Sequence, residues 1–328
     1  MAIGSGLGAQ LGIAAETTYG TYVAPSKFIE FTQESLALKK TTAQSAGIAA
    51  GRLLALSSRR VLTRREVQGS LDIEVANKNM GTLVQALMGT SVTPVKQATS
   101  TAYLQTHTLA DTRGKSLTIQ KGVPLTTGTV TAKTFTGCKV TSAEFACEVG
   151  GMLTGSFEFD GKDCDEAQPL AVASYGNASP FHFGQMTLKT GAFGSEAALD
   201  GIRKVSVKVE RPQDVERFYA NQASLKKEPI ANDQVKITGS LETDYVATTL
   251  DDLHTSDAAF SLVWEFTGAL IETTYADTFR VTLPAVRLDE GPPTVDGFGV
   301  VKPTFNFTGL YDGTNQPKIE IISTEATL

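Results

Sequence analysis

One short pattern occurs twice in this chain, and it constrains the fold more than any other feature of the sequence. VQGSLDIEV covers residues 67–75 and ITGSLETDY covers 237–245. Gly69 and Gly239 are therefore 239 − 69 = 170 positions apart, roughly half of the 328 residues. In both copies apolar and polar residues alternate, which is typical of a β-strand with one buried face. A duplicated structural unit is the simplest interpretation.

Acidic residues are part of this repeated pattern. They lie at matching positions on the polar face of the two predicted strands when the copies are shifted by 170: Asp72 with Glu242, and Glu74 with Asp244.

The segments around the two copies also repeat in the same order. Each half has a strand, a polar excursion of about 25 residues, the Gly-Ser-Leu strand, a helix, a further strand and a strand with two alternating phenylalanines. The matched strands are 34–40 and 204–210, 116–122 and 262–268, and 155–161 and 303–309, and the excursions are 41–65 and 211–234.

Each half contains one predicted helix directly after its Gly-Ser-Leu strand. The apolar residues from Met80 to Met88 follow helical spacing, with Asn79 as the predicted N-cap and Gly89 at the C-terminal end. In the second half Thr249 and Asp252 fit a capping box at the start of a shorter helix.

These patterns predict a mainly β protein made of two tandem β-sandwich or partial-barrel domains, each with one flanking α-helix and a long inter-strand loop. The predicted organisation is an N-terminal arm outside either core (1–25), a first domain (26–165), a linker rich in Pro, Gly and Ser (166–180), and a second domain (181–328).

Composition excludes several classes of function. The chain is 41% hydrophobic and 20% charged, as in folded proteins, and its formal net charge of −6 argues against a general nucleic-acid binder. We expect no signal peptide and no membrane-spanning segment. Three cysteines, Cys138, Cys147 and Cys164, lack paired spacing and are expected to be free thiols of a chain made in the cytosol.

A search for catalytic or cofactor motifs gives a negative result. GSGLG near the N-terminus lacks the spacing of a dinucleotide loop, and GKS at 114–116 lacks the first glycine and the helix of a phosphate-binding loop. His107, His182 and His254 are scattered and are expected to be ordinary surface or capping residues. We therefore expect no enzyme activity, no cofactor and no metal.

Five segments, in order, resemble the tail tube proteins, or major tail proteins, of long-tailed bacteriophages. They are GIAAETTYGTYVAPSKFIEFTQESLALKK (12–40), RREVQGSLDIEVANKNMGTLVQALMG (64–89), TFTGCKVTSAEFACEVGGMLTGSFEFDGKD (134–163), ASLKKEPIANDQVKITGSLETDY (223–245) and LPAVRLDEGPPTVDG (283–297). The likeness extends from residue 12 to about residue 324. None of these segments is diagnostic alone, because each is a structural pattern.

The resemblance implies a structural virion protein, assembled in the host bacterial cytoplasm, whose rings stack into a hollow tail tube. Genomic DNA would pass through without specific binding, and tape-measure, tail-tip and tail-terminator proteins would be partners. Family members with one fold per chain form hexameric rings, and some with a doubled fold form trimers with pseudo-sixfold symmetry. The internal repeat favours a trimeric ring here, with a hexamer as the alternative.

Two sets of residues are candidates for roles in such a tube. The polar strand faces bearing Asp72, Glu74, Glu242 and Asp244 are expected to line the lumen, because an acidic wall does not hold phosphates; a solvated outer face is the alternative. The long excursions are expected to contact the adjacent ring, with Arg52, Arg59 and Arg60 as candidate contacts; charge that serves only solubility is the alternative.

Three competing functions remain open at this stage. A β-sandwich binding or capsid-decorating module would also lack catalytic residues, and exposed aromatic residues on one flat face would favour it. An enzyme built from ordinary carboxylates would need a polar pocket with perturbed acids. The tube of a contractile injection system would differ by a sheath-binding surface.

Overall fold

The chain is built mainly from antiparallel β-strands with two short α-helices. The computed structural model describes residues 3–246, 248–291, 293–295 and 297–328. Its helices are α1 (Gly81–Met88) and α2 (Thr249–Thr255), with two 3-10 turns at Ser57–Arg59 and Phe183–Gln185.

The strands of the first half are β1 (Gln10–Ala15), β2 (Lys27–Phe28), β3 (Gln33–Glu34), β4 (Ala37–Gln44), β5 (Arg60–Glu74), β6 (Val95–Lys96), β7 (Tyr103–Thr108), β8 (Leu117–Pro124), β9 (Val130–Glu148), β10 (Thr154–Gly161) and β11 (Asp163–Asp165). Those of the second half are β12 (Met186–Gly191), β13 (Ala197–Ala198), β14 (Ile202–Glu210), β15 (Gln213–Asp214), β16 (Ile230–Ala231), β17 (Lys236–Thr243), β18 (Phe260–Glu272), β19 (Tyr275–Glu290), β20 (Thr304–Leu310) and β21 (Lys318–Ser323).

Eight of these strands form a continuous band, which we call the eight-strand strip. Its order is β4, β5, β10, β9, β14, β17, β20, β19, and each strand is antiparallel to the next. The first four strands belong to the first half of the chain and the last four to the second, so the pairing of β9 with β14 joins the halves. Among the described residues β4 and β19 do not pair with each other, and the strip is not a closed barrel.

One face of the strip is apolar and the other is polar, as the alternation in the sequence predicts. In β5 the side chains of Val67, Leu71 and Ile73 are buried, and in β17 those of Ile237 and Leu241 are buried. Both helices pack on this apolar face, since residues of α1 and α2 belong to the same hydrophobic cluster as the strands. The opposite face is left to solvent.

The prediction for the second Gly-Ser-Leu strand is wrong at its end. β17 stops at Thr243, and Tyr245 lies beyond it with its side chain 42% exposed.

Six strand pairings of the first half have a counterpart in the second half. The pairs in the first half are β8–β9, β9–β10, β10–β5, β5–β4, β1–β8 and β11–β9. Their counterparts in the second half, in the same order, are β18–β19, β19–β20, β20–β17, β17–β14, β12–β18 and β21–β19.

The correspondence extends to single residues across neighbouring strands. Phe159 lies opposite Gly69, and Phe307 lies opposite Gly239. At Gly239 a Cβ would collide with the ring of Phe307 and with the carbonyl oxygen of Ser206. Glycine at the start of the Gly-Ser-Leu triplet therefore permits a close approach of the neighbouring strand.

Both predicted helices form, but their N-terminal caps differ from the prediction. Met80, not Asn79, occupies the N-cap of α1, because Asn79 has a φ of 63° and its side chain donates to the Phe28 carbonyl oxygen at 2.9 Å. Gly89 ends α1 in the left-handed conformation, as expected. α2 is capped by Thr248, one residue before the predicted capping box, and no side-chain cap bond forms there.

The predicted N-terminal arm is not outside the core. Within residues 1–25, β1 pairs with β8 along its whole length, and its Leu11 and Ile13 side chains are fully buried. The two predicted domains also share structure, because β7 of the first half pairs with β21 of the second and one hydrophobic cluster includes residues of both halves. The predicted linker, residues 166–180, contains no helix or strand.

The two long excursions adopt different structures. The first was expected to be a loop over 41–65, but β4 and β5 continue into it as a long hairpin and leave a tip of residues 45–59. The second, over 211–234, forms only the short pair β15 and β16 and folds back onto the first half.

Candidate assembly surfaces

Three of the four predicted acids lie on the polar face of the eight-strand strip. Asp72 and Glu74 in β5 and Glu242 in β17 alternate with the buried residues. The Ser156 hydroxyl donates to the Asp72 carboxylate at 2.5 Å. Thus the structure places the acids of both halves on one side of one sheet.

Asp244, the fourth predicted acid, lies just after the end of β17. The Arg203 guanidinium lies 3.5 Å from the Asp244 carboxylate and 3.8 Å from that of Glu242. These two acids are therefore partly neutralised, which the sequence pattern did not reveal because Arg203 is on a different strand.

The same face holds further charges that the sequence prediction missed. Glu144 and Glu158 project from β9 and β10, and Glu210 from β14. Basic residues lie among them: Lys204 and Lys208, with Lys208 2.6 Å from Glu210, together with Arg203 and Lys236. Alternation in TSAEFACE and GSFEFD contains the signal, since their acids occupy the polar positions of strands whose other residues are apolar. Six acids of these strands (Asp72, Glu74, Glu144, Glu158, Glu210 and Glu242) outnumber the four bases.

The two outer edges of the strip have opposite charge. At the β4 edge, Lys39 and Lys40 are exposed, and at the β19 edge Asp289 and Glu290 are exposed. Part of the β4 edge is already covered: the Lys121 ammonium donates to the Leu36 carbonyl oxygen at 3.0 Å. Such a contact blocks the carbonyl from pairing with another strand.

The hairpin formed by β4 and β5 carries the three predicted arginines on its exposed outer part. Arg52 lies in the tip, Arg59 ends a 3-10 turn there, and the Arg60 Nε donates to Thr42 Oγ1 at 3.2 Å. Three apolar side chains of the tip are also fully open to solvent or nearly so, namely Ile48, Leu53 and Leu54. Exposed apolar clusters of this kind are typical of interaction sites, and the sequence prediction considered only the charges.

The second excursion is fastened to the first half of the same chain by a buried side chain. Its Lys226 side chain is completely buried, bound to the carboxylate of Asp160 and, at 2.7 Å, to that of Glu66. Burial raises the pKa of Asp160 to about 6, although Lys226 opposes this shift. This excursion is therefore held against its own chain at Lys226, and its contact with an adjacent ring stays a prediction.

Arg211 fixes the other end of this excursion to the first half. Its guanidinium donates to the carbonyl oxygens of Leu87, Met88 and Ala110, at the C-terminal end of α1. Burial lowers the pKa of Arg211 to about 10, and the negative end of the helix dipole stabilises its charge.

The histidines and cysteines do not assemble a catalytic centre. His107 was expected at the surface but is buried in β7, where burial lowers its pKa to about 4. His182 caps a 3-10 turn, and His254 lies in α2. Cys138 and Cys147 are buried free thiols. In the described residues no cluster of His, Cys, Asp or Glu is suited to bind a metal ion.

The perturbed carboxylates have structural surroundings. Asp160 is held by Lys226, and Asp277, whose pKa is also raised by burial, accepts a hydrogen bond from the Asn77 side chain at 2.7 Å. Both acids link segments distant in sequence and therefore provide no support for the enzyme alternative.

The large exposed aromatic residues lie on separate connecting segments and not on the face of a sheet strand: Tyr175, Phe193, Tyr219, Tyr245, Phe298 and Tyr311. The feature expected of a carbohydrate-binding or decorating module is therefore not seen in the described part of the chain.

Comparison with known protein families identifies a matching family. A family model described as "Phage tail tube protein" matches residues 6–309, which is most of the chain. A search of curated proteins finds no match. Neither helix in the described residues has the length and apolar character needed to cross a membrane.

Proposed function

Because the chain belongs to the phage tail tube protein family and is thus a structural component of the virion tail, we propose that it assembles into stacked rings. The stack forms the hollow tube through which the genome is ejected. The observation that carries this proposal is the eight-strand strip, which is apolar on one face, polar and acid-rich on the other, and open along β4 and along the end of β19 from Arg287 to Glu290. Open strand edges are a liability in a solitary protein and are removed when strips join into a barrel.

The number of strands in the strip favours a ring of three chains. Three strips supply 24 strands, which at about 4.8 Å spacing and a tilt near 40° give a backbone diameter of roughly 48 Å. After subtraction of the side chains the bore is roughly 35 Å, wide enough for duplex DNA. The matched strand neighbours in the two halves support pseudo-sixfold symmetry of such a trimer. A ring of six chains would double the circumference and is the alternative.

The polar face of the strip lines the bore in this arrangement. Both helices lie on the other side of the sheet and so face outward. Asp72, Glu74 and Glu242 then project toward the DNA, together with the acids of β9, β10 and β14. A wall with more acids than bases does not release counterions from the DNA, so the duplex slides without being bound.

The hairpin of β4 and β5 makes the contact between successive rings. Its tip combines exposed apolar side chains (Ile48, Leu53, Leu54) with the arginines at 52, 59 and 60. A ring-to-ring contact of this type is head to tail, and therefore it propagates into a filament. Tape-measure, tail-tip and tail-terminator proteins, and assembly in the host bacterial cytoplasm, are part of this proposal as features of such tails.

Native mass spectrometry of the purified chain combined with negative-stain electron microscopy tests the proposal. We expect closed rings of three times 34.8 kDa, about 104 kDa, and at high concentration tubes with a central channel. Rings of six chains would show that the hexamer, and not the trimer, is the assembled form. A chain that remains monomeric at the highest attainable concentration would overturn the proposal.

A further inference from the structure

The junction between the two halves of the chain is a strand pairing that two separate chains could also make. At this junction β14 lies antiparallel to β9, with Glu210 opposite Ser142 and Val209 opposite Ala143. The pairing ends where the Arg211 N–H donates to the Thr141 carbonyl oxygen at 2.7 Å. This pairing joins the β9 edge of the four strands from the first half to the β14 edge of the four strands from the second half.

β4 is the counterpart of β14 in the first half. Each pairs with a Gly-Ser-Leu strand, and in each case two serine hydroxyls meet across the pair. Ser35 and Ser70 are 2.9 Å apart, and Ser206 and Ser240 are 2.8 Å apart. This equivalence fixes the register between the two strands: positions in β14 correspond to positions 171 lower in the first half, as 206 − 35 shows. Lys39 therefore occupies the position of Glu210.

β19 is the counterpart of β9 in the second half. Both are long strands that carry a bulge at the same place against the aromatic strand beside them. In β9 the bulge falls between Val140, opposite Phe159, and Ser142. In β19 it falls between Leu288, opposite Phe307, and Glu290. Glu290 therefore occupies the position of Ser142.

We infer that the ring closes through the same pairing between copies: Lys39 of one copy lies opposite Glu290 of the next. Leu38 then lies opposite Gly291, and the Lys40 N–H donates to the Asp289 carbonyl oxygen. The inference rests on the proposed function and specifies its contact residues. The partner is a second copy of this chain. Within one chain β14 supplies the edge that pairs with β9, and the β4 edge of another copy supplies the equivalent edge for β19.

Charge and edge exposure at these positions support this register. β4 has β5 as its only strand neighbour in the described part of the chain, and the end of β19 has β20. Two exposed lysines, Lys39 and Lys40, would meet two exposed acids, Asp289 and Glu290. Opposite charges directly across a strand pair are stabilising, whereas two copies of the β4 edge would repel each other. Complementary ends therefore favour head-to-tail closure over a wrong pairing of like edges.

A disulfide between copies tests the register directly. Lys39→Cys with Glu290→Cys, in a Cys164→Ser background that removes the least buried native thiol, puts two cysteines opposite each other, within the distance that a disulfide spans. The control pairs Lys40→Cys with Glu290→Cys, because Lys39 and Lys40 are adjacent in a regular part of β4 and their side chains point to opposite faces. Mild oxidation followed by denaturing electrophoresis should give about tenfold more cross-linked chain in the first variant than in the control.

The cross-linked product also reports how the ring closes. We expect a ladder that ends at three chains. Rings or tubes that form normally but give no more cross-linking from position 39 than from position 40 would overturn the register while leaving the proposed function intact. Failure of the unmodified chain to form rings would instead overturn the proposed function itself.

A charge exchange supplies a second test that does not need cysteines. Lys39→Glu and Glu290→Lys should each raise the chain concentration needed for ring formation, and the double variant should restore it. Singles that assemble as well as the unmodified chain would contradict the pairing.

Discussion

The buried lysine that fastens the second excursion to the first half gives the sharpest test of the fold energetics. Lys226 is completely buried, and the Asp160 side chain beside it is only 6% exposed. Replacing it by methionine, Lys226→Met, removes the positive charge but leaves Asp160 in place. Breaking a buried ion pair in this way costs about 3–5 kcal/mol, because the remaining charge is uncompensated. We expect a loss of stability of this size near pH 8.

The cost should depend on pH with a definite sign. Burial raises the folded-state pKa of Asp160 to about 6, above its ordinary value of 3.8. A raised carboxyl pKa contributes stability that is fully present below the unfolded value and is lost as the pH rises through the folded value. Removal of Lys226 eliminates an interaction that lowers this pKa, so Asp160 will be neutral in the folded variant at pH 5. The loss should therefore be about 2 kcal/mol smaller at pH 5 than at pH 8.

Urea unfolding followed by fluorescence of the single tryptophan, Trp264, measures both effects, since this side chain is fully buried. Arg64→Met is the matched control: its ion pair with Glu216 is exposed, at 52% and 65%, and should contribute under about 1 kcal/mol. Adding Asp160→Asn to Lys226→Met should recover much of the loss, because both partners are then neutral. A loss below 1 kcal/mol at both pH values would refute the reasoning.

The remaining predictions concern the tube and the repeated glycine. Arg59→Glu with Arg60→Glu should leave single rings folded but prevent their growth into tubes, as seen by electron microscopy. Asp72→Lys with Glu242→Lys should make assembled tubes retain DNA, with a retention that falls steeply as salt rises. Gly69→Ala should lower stability by about 2–4 kcal/mol, measured by urea unfolding, because φ is +156° and a Cβ would lie 2.6 Å from the backbone of Leu36.

Each of these predictions has a matched control. Lys96→Glu changes charge at an exposed strand away from the hairpin and should not affect tube length; tubes of normal length from the arginine variant would contradict the stacking contact. Asp251→Lys lies on α2, on the other side of the sheet, and equal DNA retention by this variant would exclude a lumenal position for Asp72 and Glu242. Gly128→Ala has positive φ but open space and should cost about 1 kcal/mol; equal losses at Gly69 and Gly128 would contradict the steric argument.

Sequence patterns predicted the parts of this fold that depend on local periodicity. Alternation identified β5, β10, β17 and β20, and helical spacing with Gly89 identified α1 and its end. Both signals come from residues close together in the chain, so a single sequence contains them.

Features that depend on contacts between distant residues were not predicted. The binding of Lys226 to Asp160 joins residues 66 positions apart, and neither residue has a local feature that marks it as buried. β1 was assigned to an arm because glycine and alanine dilute its apolar residues, yet pairing with β8 buries it. The charges on the polar face were only partly identified, since the position of Arg203 beside two of the acids depends on the register of β14 against β17.

The β9–β14 junction within one chain has a kinetic consequence for the proposed ring. Three of its six sheet junctions form while each polypeptide folds, without any encounter between molecules. Every bimolecular association loses translational and rotational freedom, at a cost of roughly 4–15 kcal/mol, and tethering replaces that step by an intramolecular one at high effective concentration. Dilution therefore separates only the junctions between chains. A dissociating ring yields three chains, each with its β9–β14 junction intact, and not six separate half-chain units.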